Sequence, residues 1–358
     1  ISINSDECFL NGLDLNILSS ILKQFDNELG NVHSLHKKNF QLESIRFNLS
    51  EIIDIIQIFL NNKQEYIKWI SLYRRNLNNY ISLYASDANI KDFIFNKINK
   101  KFPSFFLCSA TLTINDSFSF FLNNIGLSND FDDLINTQIY ESPFYYEDQS
   151  KFYIFNKKME INSDSYINDI SNQIANLSIH LNKRMLILCT SYKQVQSIGK
   201  NLINNNKIDN NIILMQTSKF SKNSILNNYK ETKNSILIGT STFWEGVDLA
   251  RELLEILVIV RIPFGNPSNP QKKYLSEKIQ SIGGNPFYDL ELPNAILRIK
   301  QGIGRLIRTD MDNGVCIVTD PRICNSGYGK FIINEFPVVP NTYYDINEII
   351  DEIDNFLG

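Results

Sequence analysis

Histidine is scarce in this chain, and its three residues, His33, His36 and His180, are too scattered to form a metal-ligand set. The five cysteines, Cys8, Cys108, Cys189, Cys316 and Cys324, contain no C-x-x-C pair, and three of them sit inside apolar, strand-like runs. That pattern argues against a disulfide framework or a metal site and points to reduced, buried thiols in a cytosolic protein. No apolar run reaches the ~18 residues of a transmembrane helix. The opening is polar and lacks the basic and apolar regions of a signal peptide. Charge of one sign is not in excess either: a formal net charge of −4 gives no global attraction to nucleic acid. Binding of that kind therefore depends on a local basic or polar groove.

What is present fits two domains, since 358 residues suffice for two separate cores. A composition of 43% hydrophobic and 21% charged residues is that of an ordinary globular protein. Residues 1 to about 100 read as helical. Leu18, Ile21, Leu22, Phe25 and Leu29 recur at helical spacing, as do Leu42, Ile45, Leu49, Ile52, Ile56 and Phe59, and then Ile70, Tyr73, Leu77 and Tyr80. From about residue 102 the texture changes to short apolar runs that end in small or polar residues: FFLCSAT (105–111), MLILCTS (185–191), IILMQTS (212–218), ILIGTST (236–242), ILVIVRI (256–262) and VCIVTD (315–320). Helix-compatible segments lie between them, including 191–203 and 293–307. Buried strands alternating with helices indicate an α/β fold with a parallel sheet covered on both faces. In such sheets ligands meet the loops that leave the carboxyl ends of the strands. Those loops carry Ser109 and Thr111, Thr190 and Ser191, Thr240 through Asp248, and Asp320 with Arg322. The asparagine-rich stretch NLINNNKIDNN (201–211) reads as a compositional bias without function, and no internal repeat is visible.

Two stretches carry candidate chemistry. GTSTFWEGVD (239–248) follows an apolar strand and places Glu245 and Asp248 either side of Gly246. Its carboxylates can accept hydrogen bonds from ribose hydroxyls or a partner's arginine, or can be solvated acids of a hairpin-like loop. QGIGRLIR (301–308) reads as the end of a helix beginning after Pro293, with Arg305 and Arg308 on one face. Two planar guanidinium groups there suit a transferring phosphoryl group. The G-x-G within it lacks a preceding strand and a third glycine, so it is no dinucleotide fingerprint.

Taken in order, SATL (109–112), SPF (142–144), CTSY (189–192), GTSTFWEGVDL (239–249), RIPFGNPSNP (261–270), LPNAILRIKQGIGRLIR (292–308), DPR (320–322) and YGK (328–330) resemble the motifs of DinG-type superfamily 2 DNA helicases, bacterial relatives of the XPD helicases. The resemblance implies a RecA-like helicase motor domain preceded by an α-helical segment. It implies three divisions: a helical segment over 1–101, the end of a first motor domain over 102–150, and a second RecA-like domain over 151–358. By the same resemblance Ser109 and Thr111 belong to motif III, which couples nucleotide state to DNA contact, and Thr190, Ser191 and Thr240 are expected at single-stranded DNA. Glu245, Gly246 and Asp248 belong to motif V, near the ribose. Gln301, Arg305 and Arg308 are motif VI, with Arg308 as arginine finger and Arg305 as its partner.

Two departures stand out. Ala250 and Arg251 follow GVDL where the family has a Pro-Gly turn. Neither G-x-x-x-x-G-K-[ST] nor D-E-A-H occurs, so the phosphate cradle, catalytic lysine and magnesium carboxylate are missing; Asp6 and Glu7 are followed by Cys8 and do not replace them. Because the first residue is Ile1, the chain is expected to be part of a longer protein. The expectation is thus the C-terminal portion of an ATP-dependent 5′–3′ DNA helicase, a cytoplasmic monomer of DNA repair. ATP and Mg would be held jointly with an N-terminal motor domain of the same protein, single-stranded DNA would be the partner, and any iron–sulfur cluster would lie outside this chain. The rival is a non-catalytic single-stranded nucleic-acid-binding module.

Overall fold

The structure is a computed structural model that describes residues 15–35, 40–61, 66–75, 78–88, 101–102, 104–127, 135–240, 243 and 253–358. The chain divides into two compact units. One draws on the ranges Ile1–Phe105, Asn124–Leu127 and Asn266–Pro286, the other on Phe106–Asn123, Ser128–Gly265 and Phe287–Gly358.

In the first unit, α1 (Leu15–Leu35) and α2 (Phe40–Leu60) follow the spacing read from the sequence, with Leu49, Ile53 and Ile56 forming the buried stripe of α2. An ion pair between Arg46 and Asp26 (3.1 Å) joins them. The next segment departs from the helical reading. Ile70 and Tyr73 lie in strand β1 (Tyr66–Arg75), Tyr80 lies in β2 (Asn78–Asp87), and Leu77 falls outside the described residues. The strands pair antiparallel, and the directly opposed rings of Trp69 and Tyr84 stack with centroids 5.2 Å apart. Aromatic and β-branched side chains fit a pleated surface better than a helix, and cross-strand ring pairs of this kind override a chance three-residue spacing. The helix Pro270–Ser281 also belongs to this unit and meets β2 through a hydrogen bond from Gln271 to Ser86.

The second unit is a seven-stranded parallel sheet in the order β5-β6-β4-β7-β8-β3-β9. Its strands are β3 (Ser150–Phe155), β4 (Met185–Leu188), β5 (Ile213–Met215), β6 (Ile236–Gly239), β7 (Ile256–Ile259), β8 (Gly314–Val318) and β9 (Asn341–Tyr343). Side chains alternate between two cores. Met185 and Ile187 of β4, Ile256 and Val258 of β7, and Val315 and Ile317 of β8 face one side with α3 (Asp164–Leu181) and α4 (Tyr192–Ile203). Leu186, Leu188, Leu257, Ile259, Cys316 and Val318 face the other, with α5 (Lys222–Glu231) and α6 (Leu292–Ile303). Both faces are covered, which is why these strands read as continuous apolar runs.

Three readings change here. The run FFLCSAT forms no strand among the described residues, and Phe106 is 83% exposed. Cys108 is accordingly exposed, whereas Cys189 and Cys316 are buried, with burial holding both thiols far above their ordinary range. Cys8 lies outside the described residues. Conversely SKFYIF, which carries Lys151 amid its apolar residues, is β3, between β8 and β9 in the sheet.

β8 begins at Gly314 because of what stands beside it. A Cβ at Gly314 would lie 2.3 Å from Cγ of Leu306, itself buried, so no side chain fits without displacing Leu306. Gly314→Ala is expected to lower the unfolding free energy by roughly 1–3 kcal/mol, the usual cost of overpacking. Chemical denaturation measures this, and a variant as stable as the parent rejects the packing argument.

Candidate functional site

Two groups of the residues singled out from the sequence stand at opposite ends of this sheet. The first lines a pocket of about 470 Å³ that includes Ser109, Thr111, Tyr146, Lys300, Gln301, Arg305, Arg308 and Glu335. The structure thereby brings Ser109 and Thr111 together with Gln301, Arg305 and Arg308, almost 200 residues later in the chain.

The two arginines do not share a helix face. α6 ends at Ile303 with Gly304 as its cap, and a tight turn follows in which Arg305 N donates to Gly302 O (3.2 Å) and Leu306 N to Ile303 O (2.9 Å). The glycines at 302 and 304 weaken the helix, while Leu306 and Ile307, both buried, draw the chain onto the core. That anchoring places Arg305 and Arg308 at the pocket wall. Arg305 is 7% exposed, so its permanent charge stands largely out of water.

The loop after Arg308 is held by residues the sequence reading missed. Oδ2 of buried Asp312 accepts from the backbone N–H of Arg308 (2.7 Å) and of Thr309 (2.8 Å). Nε2 of buried Gln149 donates to Thr309 O (2.9 Å) and Asp312 O (3.0 Å). The signal available for Asp312 was its place in RTDMDNG, where an aspartate near a glycine favours a side-chain-closed turn. Nothing in the sequence pointed to Gln149. Gln149 ends a short helix (Tyr146–Gln149) just before β3, and the 308–312 loop lies just before β8, which puts Arg308 at the amino end of the sheet, together with Ser109 and Thr111, which the sequence reading groups at the carboxyl ends of the strands.

Within the pocket Ser109 Oγ and Thr111 Oγ1 stand 3.4 Å apart, and Thr111 N donates to Ser109 Oγ (3.3 Å). Oε1 of Gln301 is buried and has no hydrogen-bond partner among the described residues. Tyr146 was also unforeseen; burial raises its phenol above the ordinary range, and a hydrogen bond with Ser142 of the SPF stretch partly offsets that. The one pocket carboxylate, Glu335, is engaged by Lys300 at 2.7 Å. Hydroxyls and two guanidinium groups suit a phosphoryl group, whereas the amide oxygen of Gln301 can only accept from a donor, and this lining provides no set of carboxylates for Mg.

The second group occupies the carboxyl ends of the strands. After β4, Thr190 donates from both N and Oγ1 to Gln194 Oε1 (2.9 and 3.0 Å), and Ser191 caps α4 by accepting from Gln194 N. After β6, Thr240 is 5% exposed and donates from N and Oγ1 to Gln216 Oε1 (2.7 and 2.8 Å). Gln216 Nε2 in turn donates to the hydroxyl of exposed Tyr192 (2.9 Å). After β8, fully buried Asp320 accepts from Ile262 N (2.9 Å) and from Nη2 of Arg322 (2.6 Å), whose guanidinium lies 5.5 Å from the Phe264 ring centroid. Glu245, Gly246 and Asp248 lie outside the described residues.

Residues 174–339 match the helicase C-terminal domain family. The chain is 30% identical over 286 residues to a protein named 3'-5' exonuclease DinG from Bacillus subtilis, covering 78% of this chain and 30% of that protein. It is 29% identical over 342 residues to a protein named ATP-dependent DNA helicase YoaA from Haemophilus influenzae, covering 95% and 50%. The chain thus spans half or less of the length of these relatives. Among solved structures, an XPD helicase aligns with a TM-score of 0.56 and 19% identity over 84% of this chain and 54% of its own. An apo form of XPD aligns with a TM-score of 0.58 and 18% identity over 92% and 62%. Identities this low speak for the fold. Residues 174–339 are thus a helicase C-terminal domain, and the motif order and these relatives together support reading the chain as the C-terminal part of a DinG-type helicase, with the XPD structures showing a shared fold.

Proposed function

We propose that this chain is the C-terminal portion of an ATP-dependent DNA helicase that moves 5′ to 3′ on single-stranded DNA. The observation that carries this reading is the convergence of Ser109, Thr111, Gln301, Arg305 and Arg308 on one pocket. ATP, when bound there together with an N-terminal motor domain of the same protein, supplies phosphoryl transfer. The nucleotide's phosphate cradle and Mg would come from that domain, because this chain contains no G-x-x-x-x-G-K-[ST] sequence. In this reading residues 102–150 complete the first motor domain and 151–358 form the second. The exposed Phe106 and Leu107 are what a strand lacking its sheet neighbours presents.

Arg308 then stabilises charge that develops on the γ-phosphoryl oxygens, while buried Arg305 orients the site and Gln301 offers its orphan oxygen to a donor there. Asp312 holds the Arg308 backbone and Gln149 the carbonyls of Thr309 and Asp312 beside it, so that the guanidinium acts in the pocket with little reorganisation at the moment of reaction. At the carboxyl end, Thr190, Ser191 and backbone amides at the strand ends form the track for DNA phosphates. Thr240, buried where Thr190 is exposed, supports that track from beneath.

By itself the chain is expected to hydrolyse no ATP, because an arginine finger without a phosphate cradle binds nucleotide too poorly to act on it. DNA-stimulated turnover by the purified chain would overturn the division of the site. The chain is also expected to bind single-stranded DNA weakly and with little sequence preference, its affinity falling as salt rises because phosphate contacts release counterions. Fluorescence anisotropy across a salt series tests this; a flat response, or a preference for duplex, rejects the proposed track.

In the full gene product Arg308→Ala should slow ATP turnover on the order of 10³-fold, about 4 kcal/mol of barrier, with a much smaller loss of nucleotide affinity. Arg308→Lys should restore little, since lysine keeps the charge but lacks the planar fork. Steady-state ATPase kinetics at saturating DNA, beside direct nucleotide binding, decide the matter. Turnover within a few-fold of the parent, or an affinity loss as large as the rate loss, removes Arg308 from its role.

A further inference from the structure

Lys300 and Glu335 line the arginine pocket, yet neither was given a role in the motif reading, although Lys300 lies within the 292–308 stretch. Lys300 projects from α6 one residue before Gln301. Its Nζ donates to Glu335 Oε2 (2.7 Å) and to the backbone carbonyl of Thr113 (3.0 Å). Glu335, just beyond α7 (Gly329–Ile333), accepts with its other oxygen from the backbone N–H of Asn115. The side chains are 21% and 7% exposed respectively. An ion pair at the open surface contributes little. This one differs because each partner makes a second, charge-assisted bond to the backbone of the same short segment.

That segment is a tight turn. Ile114 and Ser117 exchange backbone hydrogen bonds of 3.1 and 3.0 Å, and the two residues between them, Asn115 and Asp116, both take left-handed backbone angles (φ 48° and 56°). Such a turn is what asparagine and aspartate tolerate better than other side chains. It presents the Asn115 N–H to Glu335. Thr113 stands two residues after Thr111 and four after Ser109, the hydroxyl residues facing the arginines across the pocket.

We propose that Lys300 and Glu335 form a latch that fixes the 109–117 segment against α6, and so sets the spacing between the Ser109–Thr111 hydroxyls and the Arg305–Arg308 guanidinium groups. They are positioning residues, and their role rests on the reading of this pocket as the nucleotide site. The latch ties the turn to the helix that delivers Gln301 and, through its last turn, Arg305. Without it the turn keeps its own backbone bonds but loses its register on the helix. A displacement of about 1 Å at a reacting centre costs on the order of 10²-fold in rate, so the expected effect falls on turnover and not on binding.

The test has two readouts. In the 358-residue chain, amide hydrogen exchange followed by NMR is compared among the parent, Glu335→Ala, Glu335→Gln, Lys300→Met and Lys300→Arg. Glu335→Ala and Lys300→Met should speed exchange across 113–117 by about tenfold or more while the amides of β4 and β7 stay unchanged, as local opening without global unfolding does. Lys300→Arg, which keeps the donors, should remain close to the parent, and Glu335→Gln should fall between. In the full gene product, Lys300→Met should lower DNA-stimulated kcat by roughly 10-fold to 100-fold with KM for ATP within about threefold, and Lys300→Arg should recover most of it. Unchanged exchange at 113–117 overturns the latch. Faster exchange with unaltered kcat overturns its positioning role. If Glu335→Ala does not fold, the two Lys300 variants carry both comparisons. Failure of the nucleotide-site reading would appear separately, as normal turnover in Arg308→Ala, with the exchange result intact.

Discussion

A parallel sheet buried on both faces leaves its polar side chains only the two ends of its strands. In β4, β7 and β8 every side chain is taken by one of two apolar cores, so hydroxyls, carboxylates and guanidinium groups collect where the chain enters or leaves the sheet. Thr190, Thr240, Asp320 and Arg322 stand at the carboxyl end, while Gln149, Arg308 and Asp312 stand at the amino end. The separation of the two groups is thus imposed by burial. Strand β8 connects them directly, with Asp312 just before its first residue and Asp320 just after its last.

The amino-end group shows how an apolar pair can aim polar ones. Leu306 and Ile307 anchor the turn after α6, Gly314 makes room for Leu306, and the arginines on either side are left facing the pocket. Buried Asp312 and Gln149 then hydrogen-bond to the backbone of the loop and fix the stretch that carries Arg308. Fixed charge in a partly dry cavity is the condition under which arginine acts strongly on a phosphoryl group.

The carboxyl end is organised differently, by amides and hydroxyls. Gln194 and Gln216 each accept two hydrogen bonds from a threonine at a strand end, and Gln216 extends the connection to Tyr192. These loops are fixed to one another across the ends of β4 and β6. Ser191 adds to this by capping α4, so the loop after β4 is fixed at both of its ends.

The sequence by itself determined the α/β class, five of its six apolar runs as strands, the two opening helices, and which residues make up the arginine cluster, because burial on both faces writes itself as uninterrupted apolar strands. It misread what depends on partners distant in the chain. Residues 66–87 carry a helical spacing that cross-strand ring stacking overrides, and FFLCSAT has the composition of a strand but pairs with none of the described residues. SKFYIF, with a lysine near its start, becomes an inner strand only because β8 and β9 flank it. Likewise the spacing of Arg305 and Arg308 suggested one shared helix face that the structure does not form: Gly304 ends the helix before them, and buried Leu306 anchors the turn between them. The grouping of Ser109 and Thr111 with those arginines, and the parts of Gln149, Asp312, Lys300 and Glu335, are contacts between segments far apart in the chain. Local propensity cannot encode such contacts, since only the folded chain brings the partners within hydrogen-bonding distance.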